Sequence, residues 1–135
     1  MLRQKRIESL FEIFLNLKFI IVTLGADGAR VIGKMKGEFG DIVSKTIKIS
    51  RDNKFRKPVV DTTGAGDCFL GCLIAFWANE KYCESFNQNT FSDQFVDLAK
   101  CVQIACDVAS ISVEGKGTQK SYPDFGELAG RGVEF

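Results

Sequence analysis

The chain has 135 residues, of which 45% are hydrophobic and 26% are charged, and its formal net charge is +1. This length and apolar content are typical of one globular domain, and the balance of acidic and basic residues does not favour a nucleic-acid groove. The sequence contains no histidine. Serine-histidine and cysteine-histidine nucleophile pairs are therefore excluded, and a carboxylate or a lysine must carry any proton transfer.

Apolar residues recur at helical spacing over about residues 5–17, which predicts an amphipathic helix. The apolar run 19–24 predicts a short parallel strand covered on both faces. Polar and charged residues, among them Glu8, Glu12 and Lys18, interrupt the apolar start of the chain. We therefore expect neither a signal peptide nor a membrane span here.

Strand-like stretches alternate with glycines and charges over residues 29–49, which predicts hairpins at a sheet edge. The polar segment 50–57 predicts a loop. Apolar helices are predicted over about residues 68–78 and 92–110, with an exposed connection at 79–90 between them. This order of elements is typical of part of a layered α/β sheet.

The cysteines are odd in number and lack the close spacing of a disulfide framework, which favours a reducing, cytoplasmic compartment. A four-thiolate zinc site is the alternative, but neither candidate pair has the usual short spacing and both fall in apolar helical stretches. Free cysteines are usually small core residues. The five are Cys68, Cys72, Cys83, Cys101 and Cys106.

The segment 60–67, with the sequence VDTTGAGD, carries the predicted chemistry. Gly64 and Gly66, separated only by Ala65, allow a tight turn whose N–H groups point outward, and the following helix adds the positive end of its dipole. These features favour a bound phosphate. Asp67 falls at the same helix start, where its carboxylate would accept a proton from an attacking hydroxyl. From the residues alone, an ordinary strand-to-helix turn with Asp67 as a helix cap is the alternative.

The whole stretch Asp61–Asp67, followed by an apolar helix, resembles the signature of the ribokinase family of sugar kinases. Two further segments resemble this family in the same order: Ile21–Gly28 is similar to its nucleotide-binding strand and turn, and Ala109–Pro123 to the loop near its C-terminus. The resemblance implies the α/β fold class, as part of a ribokinase-like three-layer α/β/α sandwich.

By position, the resemblance implies that Asp67 is the catalytic base and that Gly64, Ala65 and Gly66 form the anion hole. It also implies ATP and Mg²⁺ as cofactors. Near Cys106, where we expect the wall of the adenine pocket, the family often places an asparagine or a histidine, so the sequence departs from the pattern there. The implied nucleotide-binding positions are Thr23, Leu24, Gly25, Ala26, Asp27, Gly28, Gly66 and Asp67.

Ribokinases also bind a monovalent cation between two loops beside the anion hole, so the resemblance implies a K⁺ site. Oxygen-rich backbone loops with one carboxylate suit a hard ion of low charge. Loops held by their own hydrogen bonds, with no ion, are the alternative. The matching positions are Asp61 and Thr63 on one loop and Ser112, Gly115, Gly117 and Ser121 on the other.

The family's sugar-recognition motifs and its small β-sheet lid would precede residue 1, and no Walker A lysine loop replaces them. We therefore expect residues 1–135 to be the C-terminal nucleotide-binding and catalytic portion of a carbohydrate kinase domain, inactive alone, with an open sheet edge that allows a homodimer. The expected function of the complete protein is ATP-dependent phosphorylation of a sugar hydroxyl, D-ribose to ribose 5-phosphate. Another sugar or nucleoside kinase of the family, or a non-catalytic nucleotide-binding module, is the alternative. The expected partners are small molecules, the sugar and ATP, with neither nucleic acid nor membrane.

Overall fold

The computed structural model describes residues 2–35, 40–79 and 90–135. In this part of the chain three strands form a sheet in the order β1-β2-β3, and both neighbouring pairs are antiparallel. The strands are β1 (Phe19–Thr23), β2 (Ala29–Lys34) and β3 (Ile42–Ile47). The prediction of hairpins within residues 29–49 is confirmed.

Strand β1 was predicted to be a parallel strand, and this is wrong for its pairing with β2. Strand β1 is antiparallel to β2, with Ile21 opposite Val31, and only the turn at residues 24–28 joins the two strands. A connection this short permits an antiparallel pair, whereas a parallel pair needs a crossover of about a dozen residues. The apolar run predicted a strand, but it held no information on the direction of the neighbouring strand. Residues 19–22 of β1 are half-buried rather than fully covered.

The N-terminal helix is shorter than the predicted span of residues 5–17. Its two pieces are α1 (Leu2–Glu8) and α2 (Leu10–Ile13). Between them the Ser9 hydroxyl donates to the Arg6 carbonyl oxygen at 2.7 Å, a local bond that competes with a regular helix. Leu15, which the helical spacing assigned to the apolar face, is 88% exposed.

Two long helices carry the core, as the apolar patterns predicted. They are α3 (Ala65–Trp77) and α4 (Phe91–Ser112), so α3 begins at Ala65 rather than at Cys68. The two helices pack against each other, and one face of the sheet closes the core they share. Buried side chains in this core include Leu73, Phe76, Val102, Ala105 and Val31.

The segment after α4 forms short 3₁₀ turns, the last at Ala129–Arg131, and returns to the core through buried Leu128 and Val133. Within the described ranges, no helix is long and apolar enough to cross a membrane. The connection predicted at 79–90 lies outside the described residues except at its two ends, as does Cys83.

The other four cysteines, at 68, 72, 101 and 106, are free. Burial raises the pKa of the Cys72 and Cys106 thiols to about 12, so both thiols stay protonated at neutral pH. Where the structure describes the chain, no three histidine, cysteine, aspartate or glutamate side chains are grouped so as to hold a metal ion.

Candidate active site

The turn before α3 is fixed by the contacts of Gly64. Its φ of +79° lies in the left-handed region that favours glycine. The Gly64 carbonyl oxygen accepts hydrogen bonds from the Tyr122 hydroxyl at 2.7 Å and from the Cys68 N–H at 2.9 Å. A Cβ at position 64 would lie 2.7 Å from the Tyr122 hydroxyl oxygen. Position 64 therefore requires glycine for its conformation and for space, and a residue of the C-terminal loop holds the start of α3 in place.

The first turn of α3 presents donors and a carboxylate together. Amide groups at a helix start have no acceptor within the helix. Gly66 is exposed, and a Cβ built there would meet no atom of the described residues within 4 Å. Asp67, the next residue, is also exposed. An anion at this helix start would therefore meet N–H groups and the positive end of the dipole, with a candidate base in the same turn.

Asp61 joins the two loops that the sequence assigned to a cation site. Its Oδ1 accepts the Thr63 N–H at 2.9 Å, and its Oδ2 accepts the Gly117 N–H at 3.1 Å. Hydrogen bonds from the side chain and backbone of Thr63 and from the backbone of Gly117 lower the pKa of Asp61. A carboxylate has about four acceptor sites, so these three bonds leave one of them open. The chemistry of this carboxylate therefore fits a monovalent cation. Without an ion, the same carboxylate links the two loops by its hydrogen bonds.

The remaining positions of the predicted cation site lie close to this link. The Ser121 hydroxyl donates to the carbonyl oxygens of Gly117 at 2.9 Å and Thr118 at 2.7 Å, and a Cβ on Gly115 would lie 3.1 Å from the Ser121 Cβ. Ser112 is buried at the last position of α4, where its hydroxyl donates to the Ala109 carbonyl oxygen at 2.8 Å. The Ser112 side chain is thus used within the helix.

A cleft of about 330 Å³ opens beside the start of α3. One wall is the β1–β2 turn, a second is the segment before α3 together with its first turn, and the third is the C-terminal half of α4. Three other positions that the sequence placed along the nucleotide do not line the cleft: Leu24 and Asp27, in the same turn, and Asp67, in the first turn of α3. The sequence-predicted residues that line it are Thr23, Gly25, Ala26, Gly28, Ala65 and Gly66.

Two residues of the cleft refine the sequence interpretation. Cys106 is buried and lines the cleft, at the place where we expected the adenine wall, and its protonated thiol gives this wall an apolar character. Gly28 has a φ of +91°, and a Cβ there would lie 2.0 Å from the Ile47 carbonyl oxygen. The backbone of β3 therefore suffices to require glycine at position 28.

Sequence reasoning missed the charged cluster beneath the cleft. Glu114 lines the cleft, yet its side chain is only 4% exposed and forms ion pairs with Arg51 at 2.9 Å and Arg131 at 2.5 Å. Burial acts to raise the pKa of Glu114, but hydrogen bonds from Arg51, the Lys57 N–H and Arg131 hold it below the ordinary value. No local pattern links these positions, since Arg51 and Glu114 are 63 residues apart.

A glycine turn at a helix start, an exposed carboxylate in that turn and an adjoining cleft define a site suited to phosphate groups. Residues 3–124 match the model of the pfkB family of carbohydrate kinases, and the chain therefore belongs to this family. The ribokinase of Dictyostelium discoideum is 33% identical over 121 residues, which cover 90% of this chain and 31% of that protein. The deoxyribokinase of Salmonella typhi is 32% identical over 113 residues, which cover 80% and 26%.

The structural comparison gives the same result. The structure of ribokinase from Giardia lamblia matches with a TM-score of 0.73 at 27% identity, over 96% of this chain and 36% of that one. The predictions of a ribokinase-like α/β fold and of a carbohydrate kinase family are confirmed. The chain spans about a third of the length of these relatives. The roles assigned above to individual residues stay predictions.

Proposed function

We propose that the complete protein phosphorylates a sugar hydroxyl with ATP, and that Asp67 is the base. The observation that supports this proposal most is that the exposed Asp67 carboxylate lies in the same helical turn as Gly66. Gly66 itself has an open backbone and lines the cleft. Phosphoryl transfer needs a proton acceptor for the attacking hydroxyl and N–H donors for the transferring group, and a helix start supplies the donors without rearrangement.

In the proposed reaction, Asp67 accepts the proton of the sugar hydroxyl while the hydroxyl oxygen bonds to the γ-phosphorus of ATP. The bond from this phosphorus to the bridging oxygen breaks, and the electron pair leaves with ADP. The amide groups of the Gly64–Asp67 turn stabilise the charge on the transferring group. Catalysis then depends mainly on the relative positions of sugar, phosphate and carboxylate.

Mg²⁺ is proposed to enter with the nucleotide and to supply neutralisation of the phosphate charge. The ion is proposed to be held mainly by phosphates and water. This is the usual mode for Mg²⁺. K⁺ is proposed at the Asp61–Gly117 link, where Thr63, Ser112, Gly115 and Ser121 complete the expected loops. A cation there would hold the backbone beside the anion hole without contacting the sugar.

For the substrate we propose D-ribose, with ribose 5-phosphate as the product. The support is that the similar proteins include a ribokinase and a deoxyribokinase. In addition, the Gly-Thr-Gln-Lys-Ser-Tyr-Pro sequence of the Gly117–Pro123 segment resembles ribokinase more than other sugar kinases. We also propose that the protein is a homodimer, that it is cytoplasmic, and that its partners are the small molecules alone, the sugar and ATP. The buried free thiols of α3 and α4 suit a reducing compartment.

The test is a substrate panel on the complete protein. Ribose, deoxyribose, fructose and a nucleoside would each be supplied with ATP and Mg²⁺, and the phosphorylated product identified by mass and by the position of the phosphate. We expect the highest kcat/KM with ribose and phosphate at the 5-hydroxyl. Fructose or a nucleoside as the best substrate would reject the ribose assignment, and ATP binding without transfer to any of them would reject the kinase.

A further inference from the structure

The C-terminal tail forms part of the support of the candidate site. Residues 125–135 lie beyond the part of the chain that matches the family model, which ends at residue 124. In this tail, Gly132 has a φ of +79°, and a Cβ on it would lie 2.6 Å from the Phe55 ring. The tail is therefore packed closely against the turn at Asn53–Phe55, on the segment that leads into Asp61.

Arg51 connects this tail to three other segments. Its guanidinium is fully buried and donates to the Arg131 carbonyl oxygen at 2.7 Å, to the Phe55 carbonyl oxygen at 2.8 Å and to the Ser110 hydroxyl at 2.8 Å. The same guanidinium pairs with Glu114. A buried guanidinium is costly unless its donors are satisfied. Through Arg51, these bonds connect the tail, the turn at Asn53–Phe55 and the end of α4 to Glu114 in the C-terminal loop.

Glu114 and the adjacent Val113 form hydrogen bonds with the segment that enters α3. Its Oε1 accepts the Lys57 N–H at 3.0 Å, and its Oε2 pairs with the Arg131 side chain. The preceding residue, Val113, accepts the N–H groups of Val60 at 2.7 Å and Asp61 at 3.2 Å. Glu114 therefore anchors the point at which the segment entering α3 and the segment leaving α4 meet.

We propose that Glu114 is a positioning residue through which Arg51 and the tail residue Arg131 hold the Gly115–Ser121 loop against Asp61. The consequence for function rests on the proposed nucleotide cleft, because Glu114 lines that cleft. In addition, Tyr122, the residue that follows the loop, donates a hydrogen bond to the Gly64 carbonyl oxygen at the start of α3. An interaction between the tail and Glu114 then controls how firmly the Gly117 N–H is held at the Asp61 carboxylate.

The test is residue-resolved amide exchange by NMR on the full 135-residue chain. Removing a hydrogen-bonded charge partner should raise the exchange rate of the Gly117 amide about tenfold or more in Glu114→Gln and Arg131→Gln. The Val102 amide, in the buried part of α4, reports global opening and should change less. Lys100→Gln, which removes the exposed member of a surface ion pair on α4, is the control and should change neither rate.

Equal acceleration at Gly117 and Val102, or an unchanged Gly117 rate, would overturn the positioning role and leave only a general effect on stability. If Glu114→Gln does not fold, Arg131→Gln decides, because the Arg131 side chain is 29% exposed and its loss leaves the Arg51–Glu114 pair. An ATP titration of the same samples separates the two proposals. If the Gly25 and Gly66 amide signals do not shift with ATP, but the Gly117 amide exchanges faster in the variants, the nucleotide site is rejected and the positioning role is kept. If these signals shift with ATP, but Gly117 exchange is unchanged in the variants, the positioning role is rejected and the nucleotide site is kept.

Discussion

Asp67 is the residue on which the proposed chemistry depends, and its role can be separated from its place at a helix start. We predict that Asp67→Asn in the complete protein lowers kcat about 10²–10⁴-fold, the usual effect of losing a general base, and leaves ATP affinity within several-fold. The measurement is steady-state kinetics with a coupled assay. Asp93→Asn, in the first turn of α4, is the matched control and should retain full turnover. Near-normal kcat in Asp67→Asn would remove Asp67 from the mechanism.

Gly64 offers a test of the turn itself. Gly64→Ala places a Cβ at positive φ and 2.7 Å from the Tyr122 hydroxyl oxygen, so we predict a loss of about 1–3 kcal/mol in the free energy of unfolding. Gly71→Ala, in the middle of α3 where a Cβ meets no described atom within 4 Å, is the control. It should gain about 0.5–1 kcal/mol. Denaturant unfolding measures both, and equal effects of the two changes would contradict the contact described for Gly64.

Among the elements, the segment around Asp61 and the loop after α4 form a pair that a cation would rigidify. We predict that the complete protein is activated by K⁺ far better than by Na⁺ or Li⁺, and that Asp61→Asn abolishes this difference. Asp52→Asn is the matched control, since Asp52 also accepts the N–H two residues on, that of Lys54, at 3.0 Å, but outside the paired loops. A rate that is indifferent to replacing K⁺ with a bulky organic cation would argue for loops without an ion.

The buried ion pairs of Glu114 connect several elements, and they make the stability of the folded chain depend on pH. Its pKa is lowered in the folded chain, so its stabilising contribution is present above the unfolded value and is lost as the pH falls through the folded value. We predict that the denaturation midpoint of the wild-type chain falls more between about pH 6 and about pH 3 than that of Glu114→Gln. Asp61, with a lowered pKa as well, adds a slope of the same sign in both proteins. Parallel midpoint curves for the two proteins would contradict a charged, paired Glu114.

The sequence predicted elements where the signal was local and failed where it was not. Helices α3 and α4 have apolar patterns of their own, and the glycine turn with Asp67 is contiguous, so both were found. The direction of β1 relative to β2 depends on the neighbouring strand, and the apolar run misjudged it. The break between α1 and α2 lies at Ser9, whose hydroxyl bonds to the Arg6 carbonyl oxygen, and the spacing of apolar residues does not register such a side-chain bond. The Arg51–Glu114 pair joins positions 63 residues apart, and an isolated arginine in a polar loop gave no sign of it.

At the scale of the whole molecule, an apolar surface remains uncovered in the described parts of the chain. On α3, the Leu70 and Ile74 side chains are 53% and 58% exposed. Near the end of the same helix, the Phe76 ring stacks on the exposed Phe125 ring. Strand β1 pairs with β2 on one side, and within the described ranges its other edge has no partner strand. Exposed apolar side chains and open strand edges both favour association with another chain.

We therefore predict that the 135-residue chain self-associates in solution and, by itself, phosphorylates sugar at no useful rate. The turn around Asp67 is present, but transfer requires the sugar hydroxyl to be held in line with the γ-phosphate, and positioning supplies much of the rate. Light scattering over a range of concentrations gives the mass, and a coupled assay with ATP and ribose gives the turnover. Leu70→Lys combined with Ile74→Lys should shift the mass towards the monomer, whereas Lys45→Gln, at an exposed position of β3, should not. A stable monomer that turns over ribose at about 1 s⁻¹ or more, a rate within the range of ordinary enzymes, would contradict this prediction. It would show that the chain carries a sugar site of its own.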